Sequence, residues 1–238
     1  STTGEIDLAN STIQSYKVFY VTSGTCPNSS TFDLSVIAAG IANNYSMNFD
    51  GSSYIDVGTT LNSMLEIGDS FSISAWVNFG NTATDRTIIS NFTSSIKGIQ
   101  LRVLNNESIR IIIAETGSKY LYVDSTSIAP NSWHHIVATY NGSNTVGGLN
   151  LYINSSPDNN TNGVGSTIST ITSTDSLKIG AYTSGQYFNG SIDEVGIWNT
   201  ALTASQISEI YSATSANKTK DLSTVSGSNL IYWNRMGD

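Results

Sequence analysis

Asn131-Ser-Trp133-His-His-Ile-Val-Ala-Thr-Tyr-Asn-Gly142 and, after a short polar turn, Leu149-Asn-Leu-Tyr-Ile-Asn154 decide the fold. Both are strand-length runs rich in β-branched and aromatic residues, and Asn-Gly punctuates the gap between them. Working outward, similar runs recur at 45–49, 53–57, 71–79, 86–92, 98–104, 109–114, 119–124, 176–181 and 191–199. Asn, Gly, Asp or Ser fills the gaps. Short strands with a turn signal every ~10–15 residues fit a sandwich or barrel, not βαβ units.

Phe71–Val77, Ile109–Ile113 and Trp133–Val137 are apolar on both faces, which places such strands inside a layered structure. One helix is predicted at 203–212. Thr203-Ala-Ser-Gln206 forms a capping box, and Ile207, Ile210 and Tyr211 follow as an apolar stripe. Residues 154–175, rich in Asn, Ser, Thr and Gly, read as a long exposed loop. Residues 1–15 read as an N-terminal arm, 16–213 as the folded domain and 214–238 as a linker with a strand-like tail. The tail, Leu230-Ile-Tyr-Trp233-Asn-Arg-Met236, concentrates apolar surface that a lone terminus would leave in water. Either a further repeat begins there, or the segment pairs with a sheet of this module or of a neighbouring copy.

Composition bounds the function. Of 238 residues only 12% are charged, and 18 Asp and Glu against 10 Lys and Arg give a net charge of −8. Nucleic-acid binding rests on neutralising phosphates, so this balance argues against it, as it does against a polybasic membrane-surface role. No apolar stretch approaches a membrane span. Cys26 stands alone, which excludes an internal disulfide and a cysteine zinc site. With 4 Trp, 12 Tyr and 7 Phe the chain is too aromatic for disorder. The fold is read as all-β: an antiparallel β-sandwich with one short C-terminal helix.

From residue 47 to 212 the sequence resembles laminin-G-like, concanavalin A-like jelly rolls, with pieces related to pentraxins. The resemblance lies in Met47-Asn-Phe-Asp-Gly51, Phe71-Ser-Ile-Ser-Ala-Trp76-Val77, Trp133-His-His-Ile-Val137, Leu177-Lys-Ile-Gly180 and Ser191-Ile-Asp193-Glu-Val-Gly-Ile-Trp198, taken in order. Asn229-Leu-Ile-Tyr-Trp-Asn-Arg-Met-Gly-Asp238 resembles a stretch that opens such modules in structural proteins of bacteriophages and marine viruses. The family hosts lectins, adhesins, glucanases and spacers, so it implies a fold more than an activity.

Glucanases of this fold carry alternating acids on one strand, and no Glu-x-Asp-x-Glu occurs here. Asp193 and Glu194 are adjacent, so on a regular strand they diverge. His134 and His135 diverge likewise, and no third His completes a zinc set. They read as one packed and one hydrogen-bonded imidazole. The resemblance implies one structural Ca²⁺ at Asp193, opposed by the Asp50-Gly51 turn; the alternative is that Asp193 caps a strand or accepts backbone hydrogen bonds. For glycans, Tyr182, Gln186 and Tyr187 lie in a Gly-bearing loop where binding groups concentrate, though surface tyrosines are also ordinary. Trp76, Trp133 and Trp198 read as packing residues.

The resulting expectation is a non-catalytic structural or adhesion module exposed on a virus particle, as decoration or tail fibre. Its partners would be other virion proteins, copies of itself or cell-surface glycans, with no nucleic acid and no membrane insertion. The alternative is a secreted, extracellular lectin or adhesin domain of a cell. A glycoside hydrolase is disfavoured.

Overall fold

The structure, a computed structural model, describes residues 14–21, 29–36, 41–81, 83–183, 185–212 and 218–236. Cys26, most of the 1–15 arm, Ser184 and the last two residues of the tail lie outside them. The chain divides between positions 40 and 41 into two compact units. In the first, β1 (Gln14–Val21) and β2 (Ser29–Val36) form an antiparallel hairpin in which Gln14 faces Val36 and Val21 faces Ser29.

The second unit contains, in chain order, β3 (Ile41–Ala42), β4 (Met47–Asp50), β5 (Ile55–Gly58), β6 (Ser70–Phe79), β7 (Arg86–Ser90), β8 (Gly98–Val103), β9 (Ser108–Thr116) and β10 (Lys119–Ser127). It continues with β11 (His134–Asn141), β12 (Leu149–Ile153), β13 (Ser156–Pro157), β14 (Thr161–Val164), β15 (Leu177–Ile179), β16 (Asn189–Trp198), α1 (Ala204–Ser212), β17 (Lys218–Thr219) and β18 (Leu230–Asn234). Two antiparallel sheets form a sandwich. Sheet I runs β14-β10-β9-β8-β7-β15-β5, and sheet II runs β13-β12-β11-β6-β16-β18 with β4 also on β16.

Period-2 alternation builds the core between the sheets. Ile99, Leu101 and Val103 on β8, Ile109, Ile111 and Ile113 on β9, and Leu121 and Val123 on β10 all point inward and are buried. Phe71, Ile73, Ala75, Val77 and Phe79 on β6 meet them from sheet II.

The outer face of sheet II carries a second apolar cluster. Val137 and Trp198 lie under Leu202, Ile207 and Ile210 from α1 and its approach, and under Leu222 and Val225. Thr203 and Gln206 close α1 reciprocally, the Thr203 amide donating to Gln206 Oε1 at 2.9 Å and the Gln206 amide to Thr203 Oγ1 at 3.3 Å. Gly196 is required there, because a Cβ would lie 2.6 Å from the Trp198 ring.

One of the alternatives read for the tail holds, and three other sequence expectations need correction. The tail is a strand of its own module: β18 pairs with β16, Gly196 facing Trp233 and Ile197 facing Tyr232. The sandwich unit therefore includes the tail, and its boundary falls at Gly40 rather than near 15 or 213. Segment 154–175 is not a bare loop, since β13 and β14 extend the two sheet edges and Ile168 and Ile171 are buried. Trp133 precedes β11 and is 41% exposed, and Trp76 is half-buried on the outer face of sheet II, stacked on Tyr211 at 5.8 Å. Only Trp198 of the three is fully buried; the fourth, Trp233, is half-buried on β18.

Candidate functional site

The residues that alternate with the core positions on β8, β9 and β10 form the outer face of sheet I. Register sets them in ranks across the strands: Gln100 faces Ile112, which faces Tyr122, and Arg102 faces Arg110, which faces Asp124. Nothing like α1 covers this face among the described residues. It holds a groove of about 470 Å³ whose lining includes Gln100, Arg102, Arg110, Ile112, Tyr120 and Tyr122. That volume lies within the range of small-molecule sites, ~300–1,000 Å³.

Its floor is ordered by side-chain contacts. Tyr120 and Tyr122 stack with ring centroids 6.0 Å apart. The Arg110 guanidinium lies 4.1 Å from the Tyr122 ring centre and forks onto Asp124, with Nε to Oδ1 at 2.6 Å and Nη2 to Oδ2 at 2.7 Å. That fork raises the Arg110 pKa above its ordinary value, against the effect of burial. Arg102 is held differently. Its Nη1 is 3.4 Å from Asp85, its Nε is buried without a hydrogen bond, and burial lowers its pKa, with Asp85 opposing.

The 181–187 loop supplies one wall. Tyr182 and Gly185 exchange backbone hydrogen bonds in a tight turn, and Phe92 meets the Tyr182 ring edge-on at 6.0 Å. Gln186 adopts φ 48, accepts at its backbone carbonyl from the Thr87 amide at 2.8 Å, and accepts at Oε1 from Gln100 Nε2 at 2.9 Å. Of the three loop residues singled out in the sequence, Tyr182 and Gln186 line the groove. Tyr187 does not; it lies against Tyr54, ring centroids 6.5 Å apart.

The residues read as a calcium pair do not meet. Asp50 faces Asn189 across the β4–β16 ladder, and Asp193 is four residues further along, roughly 13 Å away at the rise of an extended strand. Asp50 Oδ1 instead accepts from the amides and hydroxyls of Ser52 and Ser53 at 2.8–3.0 Å, which holds its pKa down at about 2. The Gly51 amide donates to the Phe188 carbonyl at 3.0 Å. Asp193 accepts from Asn43 Nδ2 at 2.9 Å and from the Glu194 amide at 2.8 Å. Among the described residues no group of three His, Cys, Asp or Glu side chains is placed to hold a metal.

Asp193 and Glu194 also break the alternation expected of neighbours. An extra residue is bulged into β16 between Asp193 and Gly196, with Glu194 at φ 49, and Asn43 Nδ2 reaches both carboxylates. Glu194 is 1% exposed and accepts from Trp233 Nε1 at 2.6 Å, with Arg235 Nε 3.6 Å away. Burial pushes its carboxyl up to about 7; the Trp233 bond opposes, Asp193 adds and Arg235 opposes. The histidines follow their reading: buried His135 meets Ser74 Oγ at 2.8 Å with its pKa lowered to about 3 by burial, and His134 Nε2 meets the Ala129 carbonyl at 2.8 Å.

Sequence reasoning passed over the groove floor. The signal was present, because 98–104, 109–114 and 119–124 are successive strands whose outward positions are Gln, Arg, Ile and Tyr. Setting those positions side by side in hairpin register would have displayed the site.

Similarity to known proteins agrees with this geometry. A family model for the concanavalin A-like lectin/glucanases superfamily matches residues 49–208. No curated protein sequence matches. Among solved structures, a candidate carbohydrate binding protein from Bacteroides ovatus ATCC 8483 is 18% identical with a TM-score of 0.56, over 97% of this chain and 63% of that one. The CBM40 module of the Ruminococcus gnavus IT-sialidase, bound to α2,3 sialyllactose, is 12% identical with a TM-score of 0.56, over 73% of this chain and 100% of its own. The binding domain of botulinum neurotoxin serotype G is 19% identical with a TM-score of 0.55, over 73% of this chain and 45% of that one. The chain thus spans less than two thirds of the length of the Bacteroides and toxin proteins. With most of its length matched in ordered sequence and both sheets in place, the chain belongs to the concanavalin A-like lectin/glucanase superfamily, in its laminin-G-type branch.

Proposed function

We propose that this chain is a non-catalytic carbohydrate-binding module whose site is the groove on the outer face of sheet I. One observation carries the reading: the outward ranks of β8, β9 and β10 gather a tyrosine stack, an apolar floor residue, an amide and two guanidinium groups in a single concave lining. Sugar recognition needs those groups, since a pyranose ring has apolar C–H faces that lie on aromatic rings and hydroxyls that meet planar polar groups. Among the described residues no Asp or Glu contributes to that lining. The acid pair that glycoside hydrolysis requires would have to come from elsewhere, which supports binding without catalysis. The sialyllactose carried by the Ruminococcus module, on the same fold, is in line with this reading.

The setting proposed is the surface of a virus particle, on the resemblance of residues 229–238, with the module acting in adhesion. Finding the chain on purified particles tests the setting, independently of the site. The site is tested by a glycan array probed with the unaltered chain and with Tyr120→Ala/Tyr122→Ala. Retention of a defined glycan class by the first and its loss by the second is expected. Retention unchanged by the double substitution would move the site off this groove.

A further inference from the structure

Arg102 is only loosely matched within its own fold. Among the described residues its guanidinium makes no hydrogen bond, its Nε is sealed from solvent, and its single ion-pair contact to Asp85 is a loose 3.4 Å. A guanidinium has five N–H donors, and buried donors left unmatched are costly. Arg110 sits directly opposite on the neighbouring strand, so two like charges share one rank of the sheet, an arrangement that costs stability unless something offsets it. Asp124 offsets Arg110 with two short hydrogen bonds. Nothing comparable serves Arg102.

The sign of the lining adds to this. The whole chain carries a net charge of −8, yet among the described residues those that line the groove include two arginines and no carboxylate. Asp85 and Asp124 approach these arginines without entering the lining. The groove thus presents cations in a chain that is otherwise acidic, next to a tyrosine stack. Because Arg102 is largely removed from water, an anion placed on it would be screened far less by salt than one on an exposed lysine.

We propose that the groove selects acidic sugars, with the terminal Nη groups of Arg102 receiving the sugar carboxylate and the Tyr120–Tyr122 stack receiving the ring. The inference rests on the glycan-binding reading above and adds the substrate class to it. A carboxylate suits the site better than a point anion because its two oxygens match the planar fork of a guanidinium. Arg110, already forked onto Asp124, adds positive potential beside the site without leaving its partner.

The test prints uronic-acid oligosaccharides and sialylated glycans on one array beside the same glycans with the carboxyl reduced to an alcohol. The unaltered chain is expected to hold the carboxylated members at least about tenfold more strongly, the worth of a hydrogen bond to a charged group. Arg102→Met, of similar length but uncharged, should abolish that preference while melting as a folded protein. Equal retention of carboxylated and reduced glycans, lost in Tyr120→Ala/Tyr122→Ala, would overturn the acidic preference and leave the groove a glycan site. No retention of any glycan would remove both readings. The paired-glycan comparison needs only the unaltered chain, so it decides the matter even if Arg102→Met does not fold.

Discussion

The two outer faces of the sandwich have opposite fates. On sheet II the outward side chains include Val137 and Trp198, and α1 with the segment around Leu222 and Val225 closes over them. On sheet I the outward side chains include Gln100, Arg102, Arg110, Asp124, Ile112 and the two stacked tyrosines, and among the described residues no helix closes over the groove they form. Both sheets share the same interior logic of alternating aliphatic residues. The difference shows that the core specifies the fold, while the outward ranks decide whether a face becomes a second core or a surface for recognition.

Breaking the closed face should cost the most. Truncation before Leu230 removes β18, uncovers the bulge at Glu194 and strips Trp233, Tyr232 and Met236 from the unit. A loss above about 5 kcal/mol is expected, comparable with the whole stability of many domains, so thermal melting should no longer be cooperative. A truncated chain that melts like the full one would show that the tail is an accessory. Trp198→Ala empties a fully buried site whose Nε1 donates to the Val225 carbonyl at 2.9 Å, and about 3–5 kcal/mol should be lost in denaturant unfolding.

Glu194 gives the closed face a pH dependence. Its carboxyl titrates at about 7 in the folded chain against an ordinary value of 4.5. The folded state therefore binds more protons than the unfolded one between those values. This contribution to stability is fully present below pH 4.5 and declines as pH rises toward 7, and is flat above it. The change should be on the order of 3 kcal/mol, and Glu194→Gln should remove this falling contribution from melts recorded between pH 4.5 and 8, leaving the rising one that buried His135, held at about 3, gives up to its ordinary value of 6.5. An unchanged slope in the variant would place the titration elsewhere.

Trp133 offers the smallest effect and sharpens the contrast. Being 41% exposed and outside β11, it should cost less than about 1 kcal/mol when replaced by Ala, although it sits in the most family-like stretch of the sequence. A loss as large as that of Trp198→Ala would mean that its face is covered.

That contrast also marks what the residues alone could reveal. Alternation and turn chemistry located most strands of the sandwich, and the Thr203–Gln206 box located the start of α1 within a residue. Local pattern could not rank the tryptophans, because burial of Trp198 depends on α1 and the segment after it returning to its sheet. Nor could it foresee that Asp193 and Glu194 share Asn43, since one bulged residue cancels the alternation on which their divergence rested. The proposed Asp50–Asp193 pairing failed for a related reason: a ladder between segments some 140 residues apart has a register that neither segment encodes by itself. In the groove, the loop residues Tyr182 and Gln186 were readable as candidates. The floor was equally readable in the hairpins from β8 to β10 but needed the outward positions to be aligned.

The open face is the centre of the account, and backbone NMR maps it directly. The chain would be titrated with the glycan that it retains most strongly on the array. Shifts are expected in the amides of Gln100, Arg102, Arg110, Ile112, Tyr120 and Tyr122, with those of α1 and β18 unmoved. Shifts confined to α1, Trp76 and the outer face of sheet II would contradict the account.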